Sequence, residues 1–219
     1  MTNESRVGAV VFDLWDTLID WPLEAWDAYK RDFAARLGMT VERFDEIWHE
    51  TYPLRETGQL AASFRALGAD DGLAAEFGER RHEVIRDAII PRPGALETLD
   101  ELRRRGVCLG LITVCGEEVP ALWSETPFAG RFDTEIFSCR VGLMKPDPRI
   151  YLLASEQLGV EPEACLFVGD GANDELAGAE RVGMRPVLIH RPDENPFWPG
   201  LADWCGLRVT SVPAVLELL

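Results

Sequence analysis

The chain opens on a short, valine-rich apolar run, Val7 to Phe12, that ends on a carboxylate, Asp13. Polar residues follow it at once, which reads as a fully buried strand rather than the start of an amphipathic helix. The next comparable run, Val107 to Ile112, comes only after a long stretch of helical character. Leu23 to Leu37 carries Trp26, Tyr29, Phe33 and Leu37 at helical spacing, with Pro22 as a start signal and Gly38 as a stop. Val41 to Trp48, Leu60 to Leu67 and Leu73 to Ile89 continue the pattern until Arg92-Pro93-Gly94 breaks it. An insert of that size is too long for a simple crossover and reads as a small helical cap.

Beyond the break the periodicity alternates. Ala95 to Arg105 predicts a helix feeding the strand at Val107, and Glu135 to Phe137 a short strand. Asp147-Pro148 predicts a capped helix start running to Leu158. Ala164 to Val168 is a strand, Asn173 to Arg181 a helix stopped by Gly183, and Pro186 to Ile189 a strand. The stretch from His190 to Gly206 reads as a loop and Val212 to Leu219 as a closing helix. Such alternation implies α/β architecture: a Rossmann-like, three-layer parallel sheet core with helices on both faces and a small α-helical cap domain. The core is expected over 1–20 and 91–219, the cap over 21–90.

With 219 residues the chain can bury a substantial core. Its formal net charge of -16 argues against binding nucleic acid or an anionic membrane through the overall field. An anionic substrate would have to be drawn in locally, by a cation, a lysine or helix N-termini. No run approaches the ~20 apolar residues that span a bilayer. The segment Met1 to Val7 is short and polar, unlike a secretory signal. The five cysteines are odd in number and scattered, which suits reduced thiols in a cytoplasmic protein rather than a disulfide framework or zinc site.

In an open α/β sheet, ligands bind beyond the carboxyl ends of the strands. Those ends here carry Asp13, Trp15, Asp16 and Thr17; Thr113; Lys145 beyond the third strand; and Asp170 with Asp174. Carboxylates from different strands can hold a hard cation such as Mg²⁺, and a carboxylate can act as nucleophile. A lysine can neutralise it and the anion it attacks.

The stretches Val10-Val11-Phe12-Asp13-Leu14-Trp15-Asp16-Thr17-Leu18, Leu109-Gly110-Leu111-Ile112-Thr113, Lys145-Pro146-Asp147-Pro148 and Val168-Gly169-Asp170-Gly171-Ala172-Asn173-Asp174 resemble, in this order, the haloacid dehalogenase superfamily. The resemblance implies a hydrolase in which Asp13 is a covalent nucleophile, Thr113 binds the transferring group and Lys145 steadies negative charge. It implies a Mg²⁺ site made by Asp13, the backbone carbonyl of Trp15, Asp170 and Asp174. It also implies a helical cap between the first two motifs, closing over a small anionic substrate. Self-association as a homodimer stays open.

The departure is Trp15. Phosphatases of the superfamily usually carry an aspartate there as general acid and base, a group worth about 10²–10⁴ in rate. Three readings follow: a phosphatase whose leaving group, substrate or cap supplies the proton; a phosphatase in which Asp16 takes over; or a 2-haloacid dehalogenase, whose halide leaves without one. A non-catalytic binding protein of the same fold is a further alternative. Acidic Asp170 and Val114 after Thr113 both depart from the dehalogenase pattern, so a Mg²⁺-dependent phosphatase acting on a small phosphorylated metabolite is the expected function.

Overall fold

Each apolar run becomes a strand of one parallel sheet. In the computed structural model, which describes residues 7–191, 201 and 204–219, the strands are β1 (Ala9–Phe12), β2 (Cys108–Thr113), β3 (Thr134–Phe137), β4 (Cys165–Gly169), β5 (Arg185–Ile189) and β6 (Leu207–Val209). They lie in the order β3-β2-β1-β4-β5-β6, every neighbouring pair parallel. β1 sits centrally because it is buried on both faces. Val10 and Phe12 join Leu109, Leu111, Leu166 and Val168 on one side of the sheet; Ala9 and Val11 join Ile112, Ile136 and Phe167 on the other.

Helices cover both faces. α6 (Ala95–Arg104) places Leu99 and Leu102 on the first face. On the second, α9 (Pro148–Leu158) contributes Ile150, Tyr151 and Ala154, and α10 (Glu175–Arg181) contributes Leu176 and Ala179. Asp147 caps α9 as its sequence promises, accepting from the Arg149 amide at 2.9 Å, with Pro148 in the first turn.

Between β1 and α6 run five helices: α1 (Leu23–Arg36), α2 (Val41–Glu50), α3 (Tyr52–Arg55), α4 (Leu60–Ala66) and α5 (Asp71–Ala88). They enclose an apolar centre of their own, built mainly from Trp26, Tyr29, Phe33, Phe44, Trp48, Phe64 and Phe77. Phe33 and Phe77 stack with ring centroids 3.9 Å apart. Burying each such ring contributes about 1.5–3 kcal/mol.

Several short elements escape the sequence reading. The one-turn helices α3, α7 (Glu118–Leu122) and α8 (Ser138–Val141) are too short to show a period. β6 falls between the expected loop and the expected closing helix, where the sequence reading places no element, and that helix is a 3₁₀ helix over Pro213–Leu218. Most of the expected loop from His190 to Gly206 lies outside the described residues. No helix among the described residues is long and apolar enough to cross a membrane.

Candidate active site

The strand order reverses at β1, with β2 on one side and β4 on the other, so the crevice beyond their carboxyl ends is the position an α/β sheet offers a ligand. Asp13 leaves β1 there, its amide donating to the Val168 carbonyl at 2.9 Å and so extending the ladder. Asp13 is 5% exposed. Lys145, also buried, reaches in from the loop before α9. Its Nζ donates to Asp13 Oδ1 and to Glu175 Oε2, both at 2.5 Å. Burial opposes the charge on Lys145, but Asp13 and Glu175 outweigh it and hold the ammonium well above the ordinary lysine range.

Glu175 was not among the expected site residues. The structure brings together Asp13, Asp170 and Glu175, with ligand oxygens all within 4.8 Å of one another. Asp174 is exposed and lies outside that cluster. The reason is local: Asn173 (φ 51°) and Asp174 (φ 58°) both take the left-handed backbone conformation that short polar side chains tolerate. They occupy the 3₁₀ turn Ala172–Asp174, so α10 starts at Glu175, whose side chain is fully buried. Its Oε1 accepts from the Gly171 amide at 2.9 Å. A Cβ on Gly169 would stand 2.0 Å from that oxygen, so this approach requires glycine. Burial drives the Glu175 carboxyl well upward; Lys145 pulls it back and Asp13 adds to the rise.

These donors fit a hard divalent cation: all are oxygens, and one ammonium stands against three carboxylates. Asp170 Oδ1 also accepts from the Ala172 amide at 3.1 Å. Thr113 ends β2 fully buried, its hydroxyl without a hydrogen-bond partner among the described residues. Such a group calls for a ligand oxygen.

Trp15 stands half-buried on the wall of a cavity of about 720 Å³ that also reaches Asp13, Lys145 and Asp170. Its ring meets Trp21 edge-on at 4.9 Å. Asp16 lines the same cavity, in a left-handed turn at φ 53°. Its Oδ1 accepts from the Trp21 amide at 3.0 Å and faces Arg92 at 3.6 Å. Burial lifts the Asp16 carboxyl above its ordinary range, and those two contacts partly offset it.

The roof comes from the helical insert. Arg55 ends α3, and Thr57 and Gln59 lie in the loop after it. Arg55 lines the cavity, Gln59 is exposed, and the Thr57 hydroxyl turns back to the Pro53 carbonyl at 2.6 Å. Gly58 packs so closely on the core that a Cβ would stand 2.6 Å from the Cys139 carbonyl oxygen. Ser138 donates to the Glu56 carbonyl at 2.6 Å, and Asn173 donates to the Tyr52 hydroxyl at 3.3 Å. Two lining residues carried no sequence expectation: Arg81 of α5 and Glu118 of α7, both buried. Arg81 did leave a signal, since it shares a helix face with Phe77 and Ile85, four residues away on either side.

The sequence pattern of the family described as haloacid dehalogenase-like hydrolase matches residues 7–183. A phosphoserine phosphatase of Thermus thermophilus is 38% identical over 185 residues, covering 70% of this chain and 73% of that protein. An (S)-2-haloacid dehalogenase 4A of Burkholderia cepacia is 34% identical over 211 residues, 87% of each chain. Among solved structures, a phosphatase from Thermococcus onnurineus superposes with a TM-score of 0.73 at 25% identity, over 96% of each chain.

Proposed function

This chain belongs to the haloacid dehalogenase-like hydrolase family, and from that premise we propose that it is a magnesium-dependent phosphatase of a small phosphorylated metabolite, working in the cytoplasm through a phosphoryl group carried on Asp13. The observation that carries the reading is the cluster of Asp13, Asp170 and Glu175 around Lys145 at the mouth of the sheet. The phosphatases named among its relatives support it.

Lys145 engages Asp13 Oδ1, so attack on phosphorus falls to Oδ2. A bond forms from that oxygen to phosphorus as the bond to the leaving alcohol breaks, giving an acyl phosphate that water then hydrolyses. The Thr113 hydroxyl holds a phosphoryl oxygen, and Lys145 balances charge on the nucleophile and the equatorial oxygens. Asp13, Asp170, Glu175 and the Trp15 carbonyl would hold Mg²⁺, which when bound would offset charge on the transferring group. Asp174 supports the turn beside them. Residues 21–90 form the cap that closes the site from water. No acid stands at Trp15, so turnover depends on how well the alcohol leaves unprotonated.

One observation favours a second reading. The aromatic wall made by Trp15 and Trp21 beside the nucleophile suits 2-haloacid dehalogenation, in which halide needs no proton. Hydrolysis of an activated aryl phosphate with and without Mg²⁺ separates the two. Mg²⁺-dependent phosphate release, abolished in Asp13→Asn and raised on poorer leaving groups in Trp15→Asp, supports the phosphatase. Release of halide from 2-haloacids with no phosphate release under any metal condition overturns it.

A further inference from the structure

Above the nucleophile the cavity roof holds four buried charges that cancel: Arg55 with Glu56, and Arg81 with Glu118. Arg55 Nε lies 3.0 Å from Glu56 Oε1. Arg81 Nη2 lies 2.5 Å from Glu118 Oε1, with both side chains about 95% buried, at 4% and 5% exposure. The second pair is unfinished. Among the described residues Arg81 Nε donates to nothing, and neither Glu118 oxygen accepts an aligned hydrogen bond. Buried polar atoms left in that state cost stability unless a ligand completes them.

The pair also has a dedicated seat. Glu118 folds back over Gly116, where a Cβ would stand 2.5 Å from its Oε2. The guanidinium of Arg81 lies over Trp26 at 5.1 Å and Trp48 at 5.6 Å, so the tryptophans fix its plane. Arg81 comes from the helical insert and Glu118 from the start of α7, which follows β2, so the pair is assembled only where the two meet over the cavity.

We propose that Arg81 and Glu118 read the leaving group, and that the substrate is the monophosphate of a neutral, polyhydroxylated alcohol. This rests on the phosphatase reading of the same site. A hydroxyl both donates and accepts, so it can give its proton to Glu118 and take the one offered by Arg81 Nε. A carboxylate or second phosphate on the leaving group would meet Glu56 and Glu118 with no surplus cation beside them. An ammonium would meet Arg55 and Arg81 in the same way. The carbon-bound hydrogens of a polyol or sugar face pack on the indole walls at Trp21 and Trp26, which line the cavity with Leu23 and Ile85.

The test measures kcat/KM with Mg²⁺ for sorbitol 6-phosphate, 3-phosphoglycerate, phosphoethanolamine and para-nitrophenyl phosphate. Wild type is expected to favour the polyol phosphate over the carboxylate- and ammonium-bearing esters by about tenfold or more, as sites built to pair a hydroxyl do. In Glu118→Gln, the ratio of polyol to aryl phosphate falls by about tenfold. The wild-type ranking needs no variant, so misfolding of a variant cannot blur it. Hydrolysis of the aryl phosphate with a flat ranking, or with 3-phosphoglycerate or phosphoethanolamine preferred, overturns the assignment while leaving the phosphatase standing. No hydrolysis of any ester, the aryl phosphate included, overturns both.

Discussion

At the level of single side chains, the candidate site turns on one residue of register. The run Asn173-Asp174-Glu175 offers two carboxylates, and a fixed spacing from Asp170 picks the first. The backbone picks the second, because Asn173 and Asp174 spend their positions on a left-handed turn. That choice was partly written in the residues: Asn followed by Asp is a turn signal, and the helix proper then begins at Glu175. Asp13, Thr113 and Asp170 each stand at the end of an apolar run that reads as a buried strand, whereas Lys145 lies past β3 and the one-turn α8. The two carboxylates make a sharp contrast experiment. Glu175→Gln is expected to raise the Mg²⁺ concentration for half-maximal activity and lower kcat by about 10²-fold, in line with loss of a metal-site partner. Asp174→Asn should leave both within about twofold, as an exposed polar replacement that keeps the turn usually does. A magnesium titration of the two variants decides it; equal effects would return Asp174 to the site.

Among the elements, long periodic segments were readable and one-turn ones were not. The strands β1, β2 and β4 and the helices α1, α5 and α9 carry enough apolar residues to set a period. A helix such as α7, five residues long, has none to set, and with it went Glu118. Arg81 shows the opposite case. A charge on the apolar stripe between Phe77 and Ile85 is a local conflict that a partner must resolve, and Glu118 is that partner. Arg81→Met therefore strands a buried carboxylate, and the expected loss of stability is about 3–5 kcal/mol. The double variant Arg81→Met with Glu118→Leu should recover most of it, since replacing a buried pair by apolar groups is often near neutral. Urea denaturation of both proteins measures this; a single variant as stable as wild type would show the pair to be exposed in solution.

For the whole molecule, the alternation of strand and helix specified the parallel sheet, and the long gap between the first two strands specified an inserted helical body. What the sequence withheld was how the two faces meet over the crevice, because those contacts join residues far apart in the chain: Glu56 with Ser138, Tyr52 with Asn173, Arg81 with Glu118. The acidic cluster adds a global consequence. A cation that binds only the folded chain stabilises it by about 2.7 kcal/mol at 100 times its Kd. For a chain of this size that is roughly 5–10 °C in Tm. Thermal melts with Mg²⁺ and with EDTA should show that difference in wild type and lose most of it in Asp170→Asn. Identical melts in the two conditions would mean that the carboxylates hold no metal.

A rapid-quench experiment addresses the nucleophile itself. Wild type is mixed with an aryl phosphate and Mg²⁺, stopped in acid within the first turnover, and the peptide containing Asp13 is examined by mass spectrometry. The expected result is a single phosphoryl adduct on Asp13, absent without Mg²⁺ and absent in Asp13→Asn, which also releases no phosphate. Steady phosphate release with no adduct at Asp13, or turnover surviving in Asp13→Asn, would contradict a covalent mechanism at this residue.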